Sequence, residues 1–182
     1  MKKVQSMIAG LCLLCAMGTA QGQTVSWKQL VGIIPAGNVV GVGTGAVTGG
    51  FLPWTTSAGA AEVNLKTGSI HFFIRGLVFA GGGLEITIGT PGVITAVRGT
   101  LVCDVDGSAS AGNSVLVNTP AVPLSATGDA RFSGHMELPA VCSSESDIAF
   151  LVTAAAIHGN EITAGFWLAN GAVLMRHPDE RH

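Results

Sequence analysis

Four short stretches of this 182-residue sequence carry side chains of the types and spacing that chemistry uses. His158-Gly159-Asn160-Glu161 sets an imidazole and a carboxylate three residues apart, and two such groups plus a third ligand and an open position make a catalytic zinc site. Asp104-Val105-Asp106-Gly107 opens as a calcium loop opens, with carboxylates at alternate positions. Gly41-Val42-Gly43-Thr44-Gly45-Ala46 has the glycine spacing of a dinucleotide-binding turn. Ser133-Gly134-His135 places a hydroxyl and an imidazole on the same side of a strand.

The segment Ala156 to Gly165 resembles the zinc-ligand motif of the aspartoacylase and succinylglutamate desuccinylase branch of the zinc carboxypeptidases, in which a strand ends in His-Gly-Asn-Glu. The resemblance implies His158 and Glu161 as zinc ligands of a small metal-dependent hydrolase, with a third histidine far downstream and an α/β fold around them. The sequence departs from that pattern: only 21 residues follow Glu161, and the later histidines, His177 and His182, sit in a polar tail. Read from the residues themselves, the string is a Gly-Asn turn joining two strands.

Each of the other stretches also has an ordinary explanation. A dinucleotide site needs a helix to start at the glycines, so that its amino end faces the pyrophosphate. The chain instead continues Val47-Thr48-Gly49-Gly50-Phe51-Leu52-Pro53, which makes no such helix. The acidic loop offers Ser108, Ser110, Asn113 and Ser114 as its next oxygen donors and lacks a closing Glu, so Asp-Gly turn chemistry accounts for it. No Gly-x-Ser-x-Gly elbow is present, and His71 alternates with apolar residues as a solvent-side strand residue does. Trp27, Trp54 and Trp167 are the only tryptophans and Tyr is absent. Trp54, in the loop Phe51 to Thr56, is the expected exposed platform of a carbohydrate-binding module, while Trp27 and Trp167 are expected in the core. No catalytic residue, no cofactor-binding residue and no metal ligand is assigned.

The elements that would position these groups begin after an export signal. Lys2 and Lys3 precede an apolar stretch to Met17, and Gly18-Thr19-Ala20 ends in a small-x-small cleavage site. Residues 1 to 20 are expected to be removed, leaving a secreted or periplasmic chain. The mature part then holds seven Lys and Arg against eleven Asp and Glu, a net charge of −4. Scattered cations of that number do not neutralise a row of phosphates, so nucleic acid is a poor partner. No later segment is apolar for long enough to span a bilayer.

From Gln21 to Arg176 apolar residues alternate with polar ones, and Gly or Pro punctuates nearly every stretch. Val63, Leu65, Ile70, Phe72 and Ile74 fall on one face of a hairpin that turns at Lys66-Thr67-Gly68. Further strands are predicted over 25–34, 38–42, 83–88, 93–103, 114–118, 129–138, 148–155, 161–169 and 172–176, and residues 177 to 182 form a polar tail. The pattern predicts one all-β domain, an antiparallel β-sandwich or small barrel. Cys103 and Cys142 are the only cysteines left after the signal and are expected to form a disulfide. The reading that follows is an exported, non-enzymatic β-sandwich with a structural, adhesive or ligand-binding role, its ligand a glycan or a protein. Two alternatives stay open, the zinc hydrolase of His158 and Glu161 and the carbohydrate-binding module.

Overall fold

A computed structural model describes residues 23–34, 37–81 and 88–171. The expected signal peptide, the strands expected over 83–88 and 172–176, and the expected polar tail lie wholly or almost wholly outside these residues. In chain order the described strands are β1 (Thr24–Trp27), β2 (Leu30–Gly32), β3 (Val39–Val40), β4 (Val47–Thr48), β5 (Trp54–Thr55), β6 (Ala58–Asn64), β7 (Ser69–Arg75) and β8 (Val78–Phe79). They continue as β9 (Ile94–Cys103), β10 (Val115–Asn118), β11 (Val122–Pro123), β12 (Ala130–His135), β13 (Ile148–Ile157), β14 (Asn160–Glu161) and β15 (Trp167–Gly171). The fold is all-β, and the only helical pieces among the described residues are three short 3-10 turns.

One sheet runs β1-β6-β7-β12 and the larger one β10-β9-β13-β15-β2, with β11 beside β9 and β14 beside β13. The pairings within both are antiparallel. The β6–β7 hairpin follows the period-2 pattern: Val63 faces Ile70 across the ladder, and Val63, Leu65, Ile70, Phe72 and Ile74 are all buried. The chain passes from the first sheet to the second between Trp27 and Leu30, both buried. Between the sheets, Phe150 of β13 meets Trp27 of β1 and Phe72 of β7, with ring centroids 5.4 and 5.7 Å apart. Full burial of such side chains stabilises by about 1.5–3 kcal/mol each, and this aromatic group is the hub of one continuous core.

The central strands β9 and β13 are buried along most of their length on both faces. That explains why Ala154-Ala155-Ala156, a helical composition in isolation, is strand: its neighbours β9 and β14 supply ladder partners, and tertiary pairing overrides propensity. At one end of the larger sheet Cys103 and Cys142 form a disulfide with Cα atoms 5.0 Å apart. It ties the end of β9 to the 3-10 turn Ala140–Ser143.

Candidate functional site

Side chains alternate along β9, so Gly99 abuts Phe72 and Phe150 in the core while Arg98 and Thr100 turn to the opposite face of the larger sheet. Register brings their neighbours alongside: Thr153 lies opposite Arg98 on β13, and Asn118 lies opposite Thr100 on β10. Thr100 donates its hydroxyl proton to Asn118 Oδ1 at 2.7 Å. Its oxygen is 2.9 Å from Thr153 Oγ1, and since Thr100 has one proton only, Thr153 is the donor of that pair. The relay satisfies two buried hydroxyls, and the Asn118 amide nitrogen makes no hydrogen bond among the described residues.

Two walls rise over this floor. The first is the glycine-rich segment 39–51, which forms the short β3–β4 hairpin around a 3-10 turn at Gly43–Gly45, not the start of a helix. It is pinned to the β9–β10 loop: the Val42 amide donates to Ser114 Oγ at 2.9 Å, and the Thr44 amide to Asn113 Oδ1 at 2.9 Å. Gly45 presses on the Ser114 backbone so closely that a Cβ there would collide with its carbonyl. The second wall is 163–166, where Gly165 lies equally close to the Ala154 carbonyl. The Ala154 amide donates to the Phe166 carbonyl at 2.9 Å, holding this wall to β13.

Between the walls is a cleft of about 330 Å³, at the small end of the range for ligand pockets. Arg98, Thr100, Asn118 and Thr153 contribute to its floor, and Phe51 and Phe166 stand at its mouth with ring centroids 6.3 Å apart. Phe51 is 82% exposed, which is uncommon for so large an apolar side chain. Arg98 is held from within the fold: its Nη2 donates to the Ile162 carbonyl at 3.0 Å and to Glu161 Oε1 at 3.5 Å.

The chain matches no family model, and no curated protein and no solved structure matches it.

Apart from the glycine-rich segment, which supplies the first wall, the residues singled out in the sequence fall outside the cleft lining. His158 and Gly159, both at positive φ (49° and 78°), form the two-residue turn between β13 and β14, with Ile157 opposite Asn160. Glu161 is the partner of Arg98, and neither His158 nor Glu161 belongs to a group of metal-ligating side chains among the described residues. Trp54 does not stand exposed: it is 1% accessible, because β5 pairs with β8 and stacks its indole on Phe79 at 4.1 Å. Trp54 is therefore a core residue, as Trp27 and Trp167 also are, and Phe51 is the aromatic that the loop presents to solvent. Ser133 and His135 share the exposed face of the β1-β6-β7-β12 sheet. There Ser133 lies opposite His71 and His71 opposite Glu62, with no hydrogen bond or ion pair joining them.

The acidic loop connects β9 to β10 and gains a third carboxylate that sequence spacing did not point to. Asp104, Asp106 and Asp147 bring one oxygen each within 4.8 Å of one another, and among the described residues they alone form a group of three able to hold a metal ion. Their visible work is to cap backbone: Asp104 accepts from the Ala109 amide, Asp106 from Ser108 and Asp147 from Val105. Burial works against the Asp104 charge, but the Ala109 amide, the Ser110 hydroxyl and the Asp147 and Asp106 carboxyls outweigh it and hold its pKa below the ordinary value. Burial, against the bond from Val105, and then the charges of Asp106 and Asp104 push the Asp147 carboxyl up.

Proposed function

We propose that the mature chain is an exported, non-enzymatic β-sandwich, its two larger sheets packed face to face, that works as a ligand-binding module through the cleft over Arg98. The observation that carries this reading is the convergence in one concavity of a guanidinium, a buried hydroxyl relay with a spare amide donor, and two phenyl rings at the mouth. Ligand pockets have this makeup, an apolar surround with a few fixed polar groups. Among the described residues the cleft lining contains no His, Cys, Asp or Glu, the side chains that most often act as acid, base or nucleophile, which favours binding over catalysis. The Cys103–Cys142 bond and the Lys2-Lys3 to Ala20 signal pattern support export to an oxidising compartment.

A thermal-shift screen of small neutral and charged compounds tests the reading, with Phe51→Ala as the control. Phe51 is exposed, so its loss leaves the fold's own melting temperature unchanged, and the expected result is that stabilising compounds lose their effect in the variant. Compounds that stabilise both proteins equally would place the ligand site elsewhere.

A further inference from the structure

The donors of the cleft are unbalanced. Arg98 has five N–H groups in a planar fork, yet among the described residues the hydrogen bonds it makes are both through Nη2, and its buried Nε finds no partner there. Asn118 accepts from Thr100 through its oxygen, and its amide nitrogen, on an exposed residue, makes no hydrogen bond among the described residues. Among the described residues no carboxylate lines the cleft to offset these donors. Glu161, the one counter-charge of Arg98 among the described residues, reaches it from outside the lining at 3.5 Å, with its own side chain 77% exposed. Exposed pairs of that kind are the weakest class of ion pair. The Ile162 carbonyl, at 3.0 Å, keeps the guanidinium in position without it.

We infer that the ligand of this cleft is a small carboxylic acid, its carboxylate taken by Arg98 and its flat apolar body held against Phe51 and Phe166, and that Glu161 competes with it for the guanidinium. The inference deepens the binding reading above and depends on it. A planar fork suits a carboxylate better than a hydroxyl or a neutral amide does. The phenyl rings at the mouth supply faces and edges for one flat ring. Glu161 then acts as an internal competitor: it neutralises Arg98 in the free protein and yields it to an acid that also gains the ring contacts.

Amide NMR of the mature domain, titrated at constant ionic strength with benzoate and separately with benzamide, tests this. Benzoate is expected to give saturable shifts at residues 98–100 and 163–166 and to bind at least about ten-fold more tightly than benzamide, the net worth of one charge-assisted pair. Glu161→Gln is expected to tighten benzoate by about three- to five-fold and leave benzamide unchanged, because it removes the competitor only. Arg98→Gln is expected to abolish the preference, and if that variant does not fold, the exposed Glu161→Gln carries the test alone. Equal binding of the two probes in the cleft, or a Glu161→Gln variant no tighter for benzoate, would overturn the acid preference while the binding reading stands. Shifts from neither probe in the cleft would remove both.

Discussion

Cys103 is bonded to Cys142, and the amide of Val105, two residues beyond the first cysteine, donates to Asp147, shortly beyond the second, at 2.8 Å. The covalent bond and the hydrogen bond clamp the same two segments together and fix the β9–β10 loop on which the first wall of the cleft rests. The bond closes a 39-residue loop, for which the chain-entropy model gives roughly 4 kcal/mol. Reduction is therefore expected to lower the melting temperature by roughly 8–16 °C and to open the segment 104–125 to proteases first. Thiol titration of the denatured, unreduced domain should find no free thiol, and two per chain would contradict the bond.

Asp147 carries a pH prediction. Its carboxyl is raised above the ordinary 3.8 by burial and by its two acidic neighbours, so the folded protein binds that proton more tightly than the unfolded chain does. The resulting stabilisation is complete below the ordinary value and is lost as pH rises through the raised one. Asp147→Asn keeps an oxygen for the Val105 amide and removes the like charge. It is expected to melt about 1–3 °C higher than the parent at pH 7, with the gain gone near pH 3. A lower melting temperature at pH 7 would show that the charge is needed there.

Trp54 separates a core residue from a sugar platform. Buried against Phe79, it is expected to cost about 3–5 kcal/mol when cut to alanine, visible in urea unfolding. Phe51→Ala, three residues earlier and exposed, is expected to change stability by less than about 0.5 kcal/mol. Reversal of the two effects would contradict the packing described.

Export is checked by mass spectrometry of secreted or periplasmic material, where Gln21 or a residue within a few positions of it is the expected first residue. Intact Met1 on the exported protein would contradict the signal reading.

The alternation of Val63, Leu65, Ile70, Phe72 and Ile74 made the β6–β7 hairpin legible because one buried face enforces period 2. The two cysteines were legible as a pair because nothing else was left to bond them. Trp54 was misread because its loop has no periodicity; its burial comes from the two-residue β5–β8 pairing, too short to leave a pattern. Glu161 was noticed for its place beside His158, whereas its partner is Arg98, on the neighbouring strand β9. The cleft itself was not legible. Its floor comes from β9, β10 and β13 and its walls from 44–51 and 163–166, and no spacing rule joins five separate segments. The one signal was Arg98, the single charged residue of the largely buried strand Ile94–Cys103, where a charge needs a partner or a purpose.

The central claim is that this cleft is where the protein binds its ligand, and a crystal structure of the mature domain soaked with the best-stabilising compound from the screen tests it most directly. Ordered density is expected in the cleft, with a polar group of the compound within about 3 Å of the Arg98 guanidinium and its body against Phe51 or Phe166. Density on the exposed face of the other sheet, beside Glu62, His71 and Ser133, with the cleft left to water, would contradict it.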